Sequence, residues 1–262
     1  MIRNMLIIAG ASFVLMLGCF AGVAALAGPV ILKEGWTIPI KREASFGRSH
    51  TRVGTRTPSP DVSRELAWSG ESLTVELPLD VTYVQGPAAK VEITGPKAYV
   101  DRLRLENGRL SLIDDGVNGE EEGELTIDHN GIRLQRNSDR VKIVVTAPKV
   151  SRFQLDGSGD LEIQAYDQPT LNLAINGSGD ITAVGQVAVL SLTAAGSGEA
   201  QLEDLAAKNA DLMISGSGNA VVTARNVVTI ALSGSGDVSL QAQPASLSAN
   251  TSGSGKVQHD YQ

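Results

Sequence analysis

The residues best suited to chemistry are polar side chains that follow a recurring tripeptide. Six Gly-Ser-Gly sequences are each followed by one such residue, and these are Asp160, Asp180, Glu199, Asn219, Asp237 and Lys256. If the copies stack, neighbouring carboxylates repel by about 1 kcal/mol in water, and a divalent cation would relieve this. However, calcium-binding β-rolls use a nine-residue repeat that this sequence lacks, and turn Asp and Asn side chains commonly bond backbone amides. We predict no metal site; the weak candidates for one are Asp160, Asp180, Glu199 and Asp237.

A second group of acids lies in residues 114–124, where six residues are Asp or Glu. Compared with an EF-hand calcium loop, Asp114, Asn118 and Gly119 fit the spacing. Gly116 at the third position and Leu125 at the twelfth do not fit. We therefore predict a solvated acidic loop.

Residues for catalysis are scarce. The chain has one Cys, and its three histidines, His50, His129 and His259, stand in no Ser-His-Asp order. Residues 153–262 contain three cations against eleven acids, a poor balance for holding an acidic polysaccharide. A net charge of −7 also argues against nucleic-acid binding. We predict a protein that is not an enzyme, has no cofactor and does not bind nucleic acid.

The strongest pattern in the sequence is the repeat itself. Its spacings are 20, 19, 20, 18 and 19 residues, which is typical of a solenoid of stacked turns. We interpret the tripeptides as structural corners of that solenoid. Their residues are Gly157, Ser158, Gly159, Gly177, Ser178, Gly179, Gly196, Ser197, Gly198, Gly216, Ser217, Gly218, Gly234, Ser235, Gly236, Gly253, Ser254 and Gly255.

Apolar and polar residues alternate on both sides of each tripeptide. Leu171, Leu173 and Ile175 precede the second copy, and Leu161 and Ile163 follow the first. Alternation with period two indicates strands with one buried face. The sequence thus predicts an all-β fold, a parallel β-solenoid with repeats of roughly 19 residues, each with a strand, a variable turn, a second strand and a corner. Glycine at the corners allows a close approach that a Cβ would block, and the Ser hydroxyls are expected to bond turn amides or each other.

The N-terminus carries an uncharged hydrophobic segment of 23 residues, from Met5 to Ala27. About 20 apolar residues are enough to cross a bilayer as a helix. We therefore predict one N-terminal membrane anchor or signal helix within residues 1–32, which makes the membrane the first partner of this chain.

Two other fates of this segment fit the sequence. Ala25-Leu26-Ala27 has the spacing of a signal-peptidase site, so a cleaved, secreted form is one alternative. Lipoprotein processing at Cys19 is the other. Residues 33–64 carry seven Lys or Arg against three acids, and the positive-inside tendency then favours the opposite membrane orientation. The orientation is open at this stage.

The rest of the chain divides by composition. Residues 33–68 mix Arg, Ser, Thr and Pro without hydrophobic periodicity, and they predict a basic tether. Residues 69–262 form the predicted β domain, with an irregular β part over 69–150 and the six-repeat solenoid over 151–262.

Three sequence features together resemble a known bacterial family. They are the Gly-Ser-Gly-Asp repeats, the stretch 75–112 with Val84-Gln85-Gly86-Pro87, and Val144-Val145-Thr146-Ala147-Pro148. Over roughly residues 70–262 they are similar to the head GIN domain family of envelope proteins, described as putative auto-transporter adhesins. The resemblance implies a β-solenoid head, export to the cell envelope with the head in the periplasm or outside, and an adhesive role. It implies no catalytic residues.

Two functions of different kinds fit these observations. The first is an adhesin-like binding module, whose rigid head contacts a polysaccharide or another envelope protein. The second is a structural envelope protein that assembles through its solenoid ends, where unpaired backbone groups can pair with another chain. A third, a β-helix enzyme acting on polysaccharide, has the least support from the residues.

Overall fold

The computed structural model describes residues 36–45, 48–53, 60–113, 121–128, 131–136 and 138–261; before residue 60 and between 121 and 136 only the backbone is described. The chain divides into two compact units, residues 1–58 with 117–137, and residues 59–116 with 138–262. The predicted anchor or signal helix at residues 1–32, including Cys19, lies outside the described residues. Among the residues that are described, no helix is long and apolar enough to cross a membrane.

The described elements are almost all strands. In chain order they are β1 (Trp36–Ser45), β2 (Arg48–Val53), β3 (Asp61–Ala67), β4 (Ser72–Glu76), β5 (Val81–Gln85), β6 (Lys90–Pro96), helix α1 (Lys97–Val100), β7 (Leu103–Glu106), β8 (Arg109–Leu112), β9 (Glu121–Asp128), β10 (Gly131–Arg136), a 3-10 helix (Ser138–Arg140), β11 (Lys142–Ala147), β12 (Arg152–Leu155), β13 (Leu161–Ile175), β14 (Ile181–Gly196), β15 (Ala200–Gly216), β16 (Ala220–Gly234), β17 (Val238–Leu240), β18 (Ser246–Gly253) and β19 (Val257–His259).

The first unit contains a four-stranded antiparallel sheet in the order β10-β9-β1-β2. The predicted tether over residues 33–68 is therefore wrong for β1 and β2. Apolar residues alternate along β1 as expected for a strand, at Trp36, Ile38 and Ile40. One of the two partners of β1 is β9, which is distant in the sequence. The acidic segment also differs from a simple loop, because residues 121–124 belong to β9. Residues 114–120 lie outside the described residues.

The second unit contains the predicted all-β parallel solenoid, of about five turns. Strands β13, β14, β15 and β16 pair in parallel and in register, so that Leu173, Leu192, Leu212 and Ile230 face each other on successive turns. All four side chains are buried. The column is continuous because each inward position of the repeat is aliphatic, and a single turn could not bury it alone.

The predicted turn between the two strands of a repeat is replaced by a bulge within one long strand. Each of β13 to β16 has 15 to 17 residues, and the pairing shifts register near the middle, for example between Thr182 and Gly185 of β14. A bulge bends the strand without ending its ladder of hydrogen bonds. The strand can therefore turn from one face of the solenoid to the next.

The solenoid begins one turn earlier than the tripeptides indicate. Strands β4 and β5 pair in parallel with β12 and with the first half of β13, and residues 77–80 take the corner position with the sequence Leu-Pro-Leu-Asp. An insertion of about one quarter of the chain, residues 86–151, separates this first turn from the next. Part of it covers the start of the solenoid, because β8 pairs with β4 and β7 with β8.

Two strands of the insertion, β6 and β11, extend the sheet at β5 together with β3. β11 pairs in parallel with β5 and antiparallel with β6, and β3 pairs antiparallel with β6. Since β3 spans Asp61–Ala67, the tether prediction is wrong here too, and the domain starts before residue 69. Leu66 and Val62 of β3 pack against the core, which explains why this strand is ordered within the domain.

Three buried aromatic side chains, Tyr83, Phe153 and Tyr166, contact one another in the core between β5, β12 and β13. Tyr83 and Phe153 meet edge to face with ring centroids 4.9 Å apart, and Phe153 and Tyr166 are 6.3 Å apart. Tyr83 donates its hydroxyl to the Ala147 carbonyl at 2.9 Å, so its polar end is satisfied within the core. Burial raises the pKa of Tyr83 to about 12 and also raises the pKa of Tyr166.

Candidate functional site

The Gly-Ser-Gly corners stack directly on one another. The backbone N–H of Ser217 donates to the Gly196 carbonyl at 3.0 Å, and that of Ser235 donates to the Gly216 carbonyl at 2.8 Å. A Cβ at Gly216 would lie 2.5 Å from the Gly196 carbonyl oxygen. The Ser side chains at these corners are exposed. Backbone groups, rather than the hydroxyls expected from the sequence, therefore join the corners.

The polar residues that follow the corners form a ladder. Asp160 Oδ1 accepts a hydrogen bond from the Asp180 backbone N–H at 2.9 Å, and Asp180 Oδ1 accepts one from the Glu199 N–H at 2.7 Å. Asn219 and Asp237 repeat the pattern towards the C-terminus, accepting from the N–H groups of Asp237 and Lys256 at 2.9 and 2.8 Å. Each acceptor thus satisfies the amide of the residue one turn further on.

The ladder starts at a residue that the repeat pattern does not indicate. Asp80 Oδ1 accepts from the Asp160 N–H at 3.0 Å, although Asp80 follows no Gly-Ser-Gly. The described solenoid lacks the corresponding bond between Glu199 and Asn219, where the longer Glu side chain stands in place of Asp. Lys256 ends the ladder because its side chain has no acceptor.

Three of the four weak metal candidates, all except Glu199, accept structural hydrogen bonds. The Oδ1 atoms of Asp160, Asp180 and Asp237 accept backbone N–H bonds, which is the turn role that Asp commonly takes. Within the described part of the chain, no three His, Cys, Asp or Glu residues come together in a way that could hold a metal ion.

The three histidines are dispersed in the chain. His259 lies on β19 with Nδ1 3.1 Å from the Tyr261 hydroxyl. His50 lies in β2, where only the backbone is described, and His129 lies outside the described residues. The structure brings none of the described ones together with a nucleophile and a carboxylate.

A surface groove lies on the corner of the solenoid where β13 to β16 bend. Its volume is about 750 Å³, within the roughly 300–1,000 Å³ typical of ligand sites. We call it the corner groove and define it by Gln168, Gln186, Ala206, Ala207, Lys208 and Arg225. The small Ala side chains, one exposed and one buried, leave space that longer residues would fill.

The corner groove collects most of the positive charge of the repeats. Lys208 and Arg225 are two of the three cations in residues 153–262, and both are exposed. The count of cations in the repeats does not by itself place these two together. The available signal is their separation of 17 residues, close to one repeat, which puts them on neighbouring turns.

Exposed apolar side chains lie on β14, β15 and β16, which are three of the four strands that the groove crosses. Val189 is 42% exposed, Met213 59% and Val227 49%. Val189 and Val227 share one column, because each pairs in register with Asn209 of β15. Asn209 stands between the two valines, and Met213 lies four residues further along β15, about 13 Å away, opposite Thr193 and Ala231. We call Val189, Met213 and Val227 the apolar row. Exposed apolar side chains on one outer face can mark a contact surface, so the apolar row is a candidate for one.

The C-terminal end of the solenoid is open. All eight residues of β18 are exposed, including Leu247, although Leu247 and Ala249 continue the inward columns of Val228 and Ile230. No charged residue interrupts β18. Among the described strands β18 pairs with β16 alone, so its outer edge presents unpaired backbone groups.

The fold is a β-solenoid, in which backbone hydrogen bonds join the corners of stacked turns. Residues 71–244 match the family described as "Putative auto-transporter adhesin, head GIN domain". The chain belongs to this family, and the resemblance seen in the sequence is confirmed. A search of curated proteins gives no match.

Several solved structures are similar to this chain at low sequence identity, and the first of them shares its fold. A protein from Bacteroides fragilis NCTC 9343 described as a putative adhesin is 18% identical with a TM-score of 0.58, over 77% of this chain and 98% of that chain. A protein from Parabacteroides distasonis ATCC 8503 described as a putative lipid binding protein is 20% identical with a TM-score of 0.44, over 76% and 96%. A putative adhesin from the same organism is 13% identical with a TM-score of 0.41, over 77% and 97%. The descriptions of the family and of the Bacteroides fragilis structure both name a putative adhesin.

Proposed function

We propose that this protein is a non-enzymatic, exported cell-envelope protein whose solenoid head acts as an adhesin-like binding module, held to the membrane by residues 1–32. The observation that carries the proposal is the apolar row, which leaves Val189, Met213 and Val227 exposed on adjacent turns while the inward columns are buried. A rigid ladder of backbone bonds holds these side chains in place without a ligand, which lowers the entropy cost of binding. Membership of a family named for adhesins supports the same function.

The location is tested with a C-terminal tag and added protease. Cleavage in intact cells supports a surface-exposed head, and cleavage only after the outer layer is permeabilised supports a periplasmic one. Protection until full lysis contradicts export, and the binding module would then have to act inside the cell.

The binding surface is tested by adhesion of cells that display the full chain to polysaccharide-coated and protein-coated surfaces. Met213→Asp places a charge in the apolar row and is expected to lower adhesion about tenfold, since loss of one apolar contact from an interface costs about 1 to 2 kcal/mol. Ser69→Asp adds the same charge at an exposed site before the first turn and is the matched control. Equal adhesion of both variants and the native chain contradicts the assignment of the apolar row.

A second function, assembly through the solenoid end, is favoured by the open and uncharged strand β18. Sedimentation of the detergent-solubilised full chain over a range of concentrations tests it. Ala249→Lys places a charge on the edge strand and is expected to abolish association, whereas Ala231→Lys makes the same change on the outer face of an internal strand. A concentration-independent monomer contradicts this second function and leaves the binding module as the proposal.

A further inference from the structure

We infer that the corner groove binds a linear saccharide that carries carboxylate groups, with Lys208 and Arg225 as the carboxylate contacts. This inference rests on the proposed function, because it names the ligand class of the binding module. The negative charge of the repeats as a whole disfavours an acidic polysaccharide. The groove itself is locally positive, so the inference differs from that earlier conclusion.

The two cations of the groove, Lys208 and Arg225, lie on neighbouring strands. In the pairing of β15 with β16 the register passes from Ala207 with Ala224 to Asn209 with Val227. Lys208 therefore stands opposite Arg225 and Asn226 across a bulge. Like charges in opposed positions of neighbouring strands destabilise a sheet.

Neither Lys208 nor Arg225 has a carboxylate partner among the described residues. The described residues include no acid within ion-pair distance of Lys208 or Arg225, although the repeats hold eleven acids. Asp167 lies at the other end of the groove, on β13, two turns away from Lys208. An anionic ligand would neutralise both cations, and Arg can bind a carboxylate in bidentate fashion.

The shape and lining of the corner groove suit a linear saccharide. The groove crosses β13, β14, β15 and β16, and three spacings of about 4.8 Å give a length near 14 Å along the solenoid axis. The side-chain amides of Gln186 and Asn226 can donate to and accept from sugar hydroxyls. The Gln168 amide nitrogen donates to Gln85 and to the Val150 carbonyl, so only its oxygen can accept from a ligand. Ala206 and Ala207 leave apolar floor for the carbon face of a sugar ring.

A flat anionic membrane fits this surface less well than a linear chain. Exposed acids lie on the same strand as Lys208, namely Glu203, Asp204 and Asp211. A bilayer that approached the corner would meet these acids together with the cations, whereas a chain within the groove meets the cations. The observations therefore favour the saccharide.

The experiment measures binding of the full, detergent-solubilised chain to fluorescent oligosaccharides. The probes are hexamers of galacturonate, mannuronate and glucuronate, each with a carboxyl-reduced neutral hexamer of the same linkage, and phosphatidylglycerol vesicles serve as the alternative anion. We expect at least one uronate to bind more than tenfold tighter than its reduced form, with affinity falling as salt rises. The double variant Lys208→Gln with Arg225→Gln should weaken binding about a hundredfold, or about tenfold per cation.

Lys256→Gln is the matched control, because it removes the third cation of the repeats at the last Gly-Ser-Gly corner and should leave the affinity unchanged. Asp167→Asn removes the acid of the groove and should strengthen binding. The inference is overturned if no uronate binds, if reduced hexamers bind equally, if vesicles alone bind, or if the double variant binds like the native chain. In each of these outcomes the adhesion assay with Met213→Asp still decides the proposed function separately.

Discussion

The carboxylate of Asp160 accepts a hydrogen bond from the backbone N–H of Asp180, one full turn of the solenoid further on. The two acids lie in one column, and this bond joins the side chain of the first to the backbone of the second. Similar bonds start at Asp80 and reach Lys256, with one interruption after Glu199. The column that suggested a cation site in the sequence is therefore a set of side chains that stabilise stacked corners.

Replacing Asp180 distinguishes an acceptor role from a charge role. Asp180→Ala removes the acceptor of the Glu199 N–H and should lower the free energy of unfolding by about 1 kcal/mol. Asp180→Asn keeps the acceptor oxygen, as Asn219 does in the native chain, and should change stability by less than about 0.5 kcal/mol. Urea unfolding measures both. A large loss in Asp180→Asn would show that the negative charge itself is needed.

Removal of divalent cations provides an independent check on the same column. We expect the thermal unfolding midpoint to be the same in excess chelator and in millimolar calcium, because the Oδ1 atoms of the ladder bond backbone amides. A calcium-dependent rise in the midpoint that is lost in Asp160→Asn would contradict this and restore the cation site.

Two glycines with nearly the same φ allow the effect of corner stacking to be distinguished from that of backbone strain. Gly216 has φ of +115° and Gly70 has φ of +117°. A Cβ at Gly216 would lie 2.5 Å from the Gly196 carbonyl oxygen, whereas a Cβ at Gly70 would meet nothing within 4 Å. Gly70→Ala should cost about 1 kcal/mol from strain alone. Gly216→Ala should cost about 3 kcal/mol, because the turns must also move apart.

Denaturant unfolding of both variants measures these costs. Equal losses in the two variants would mean that φ alone requires the glycine at Gly216. The close contact between neighbouring corners would then contribute little to stability.

The buried phenol of Tyr83 predicts a stability change at high pH. Its pKa is raised to about 12 in the folded chain from 10.0, so the folded state holds the proton more tightly than the unfolded state. Its contribution is therefore complete below pH 10 and is lost as the pH rises from 10 towards 12. The loss amounts to about 2 to 3 kcal/mol. Tyr166 should add to this fall, since burial raises its pKa too.

Unfolding by urea at intervals between pH 9 and pH 12 tests the effect of Tyr83. Tyr83→Phe should show a shallower fall of stability over this range than the native chain, because it has no hydroxyl to ionise. Tyr261→Phe is the control, since Tyr261 lies near the C-terminus beside His259 and outside the aromatic cluster. Identical pH profiles for Tyr83→Phe and the native chain would contradict the assignment.

The repeated part of the fold was predictable because its information is local. A period near 19 residues places Leu173, Leu192 and Leu212 in one column, and alternation with period two turns them inward. Stacking then follows, since no single turn can bury its aliphatic face alone. The six Gly-Ser-Gly corners and their order along the solenoid could thus be inferred from the sequence by itself.

The tertiary structure decided what depends on distant pairing. Strands β4 and β5 form a turn of the solenoid with a Leu-Pro-Leu-Asp corner, and residues 86–151 separate them from their partners, so no period reveals them. Likewise β1 and β3 pair with strands that are distant in the sequence. The composition of residues 33–68 does not reveal these partners and therefore suggested a tether. The bulges that oppose Lys208 to Arg225 arise from register shifts between strands. Register is set by packing across the whole sheet, which is why the corner groove emerged only from the folded chain.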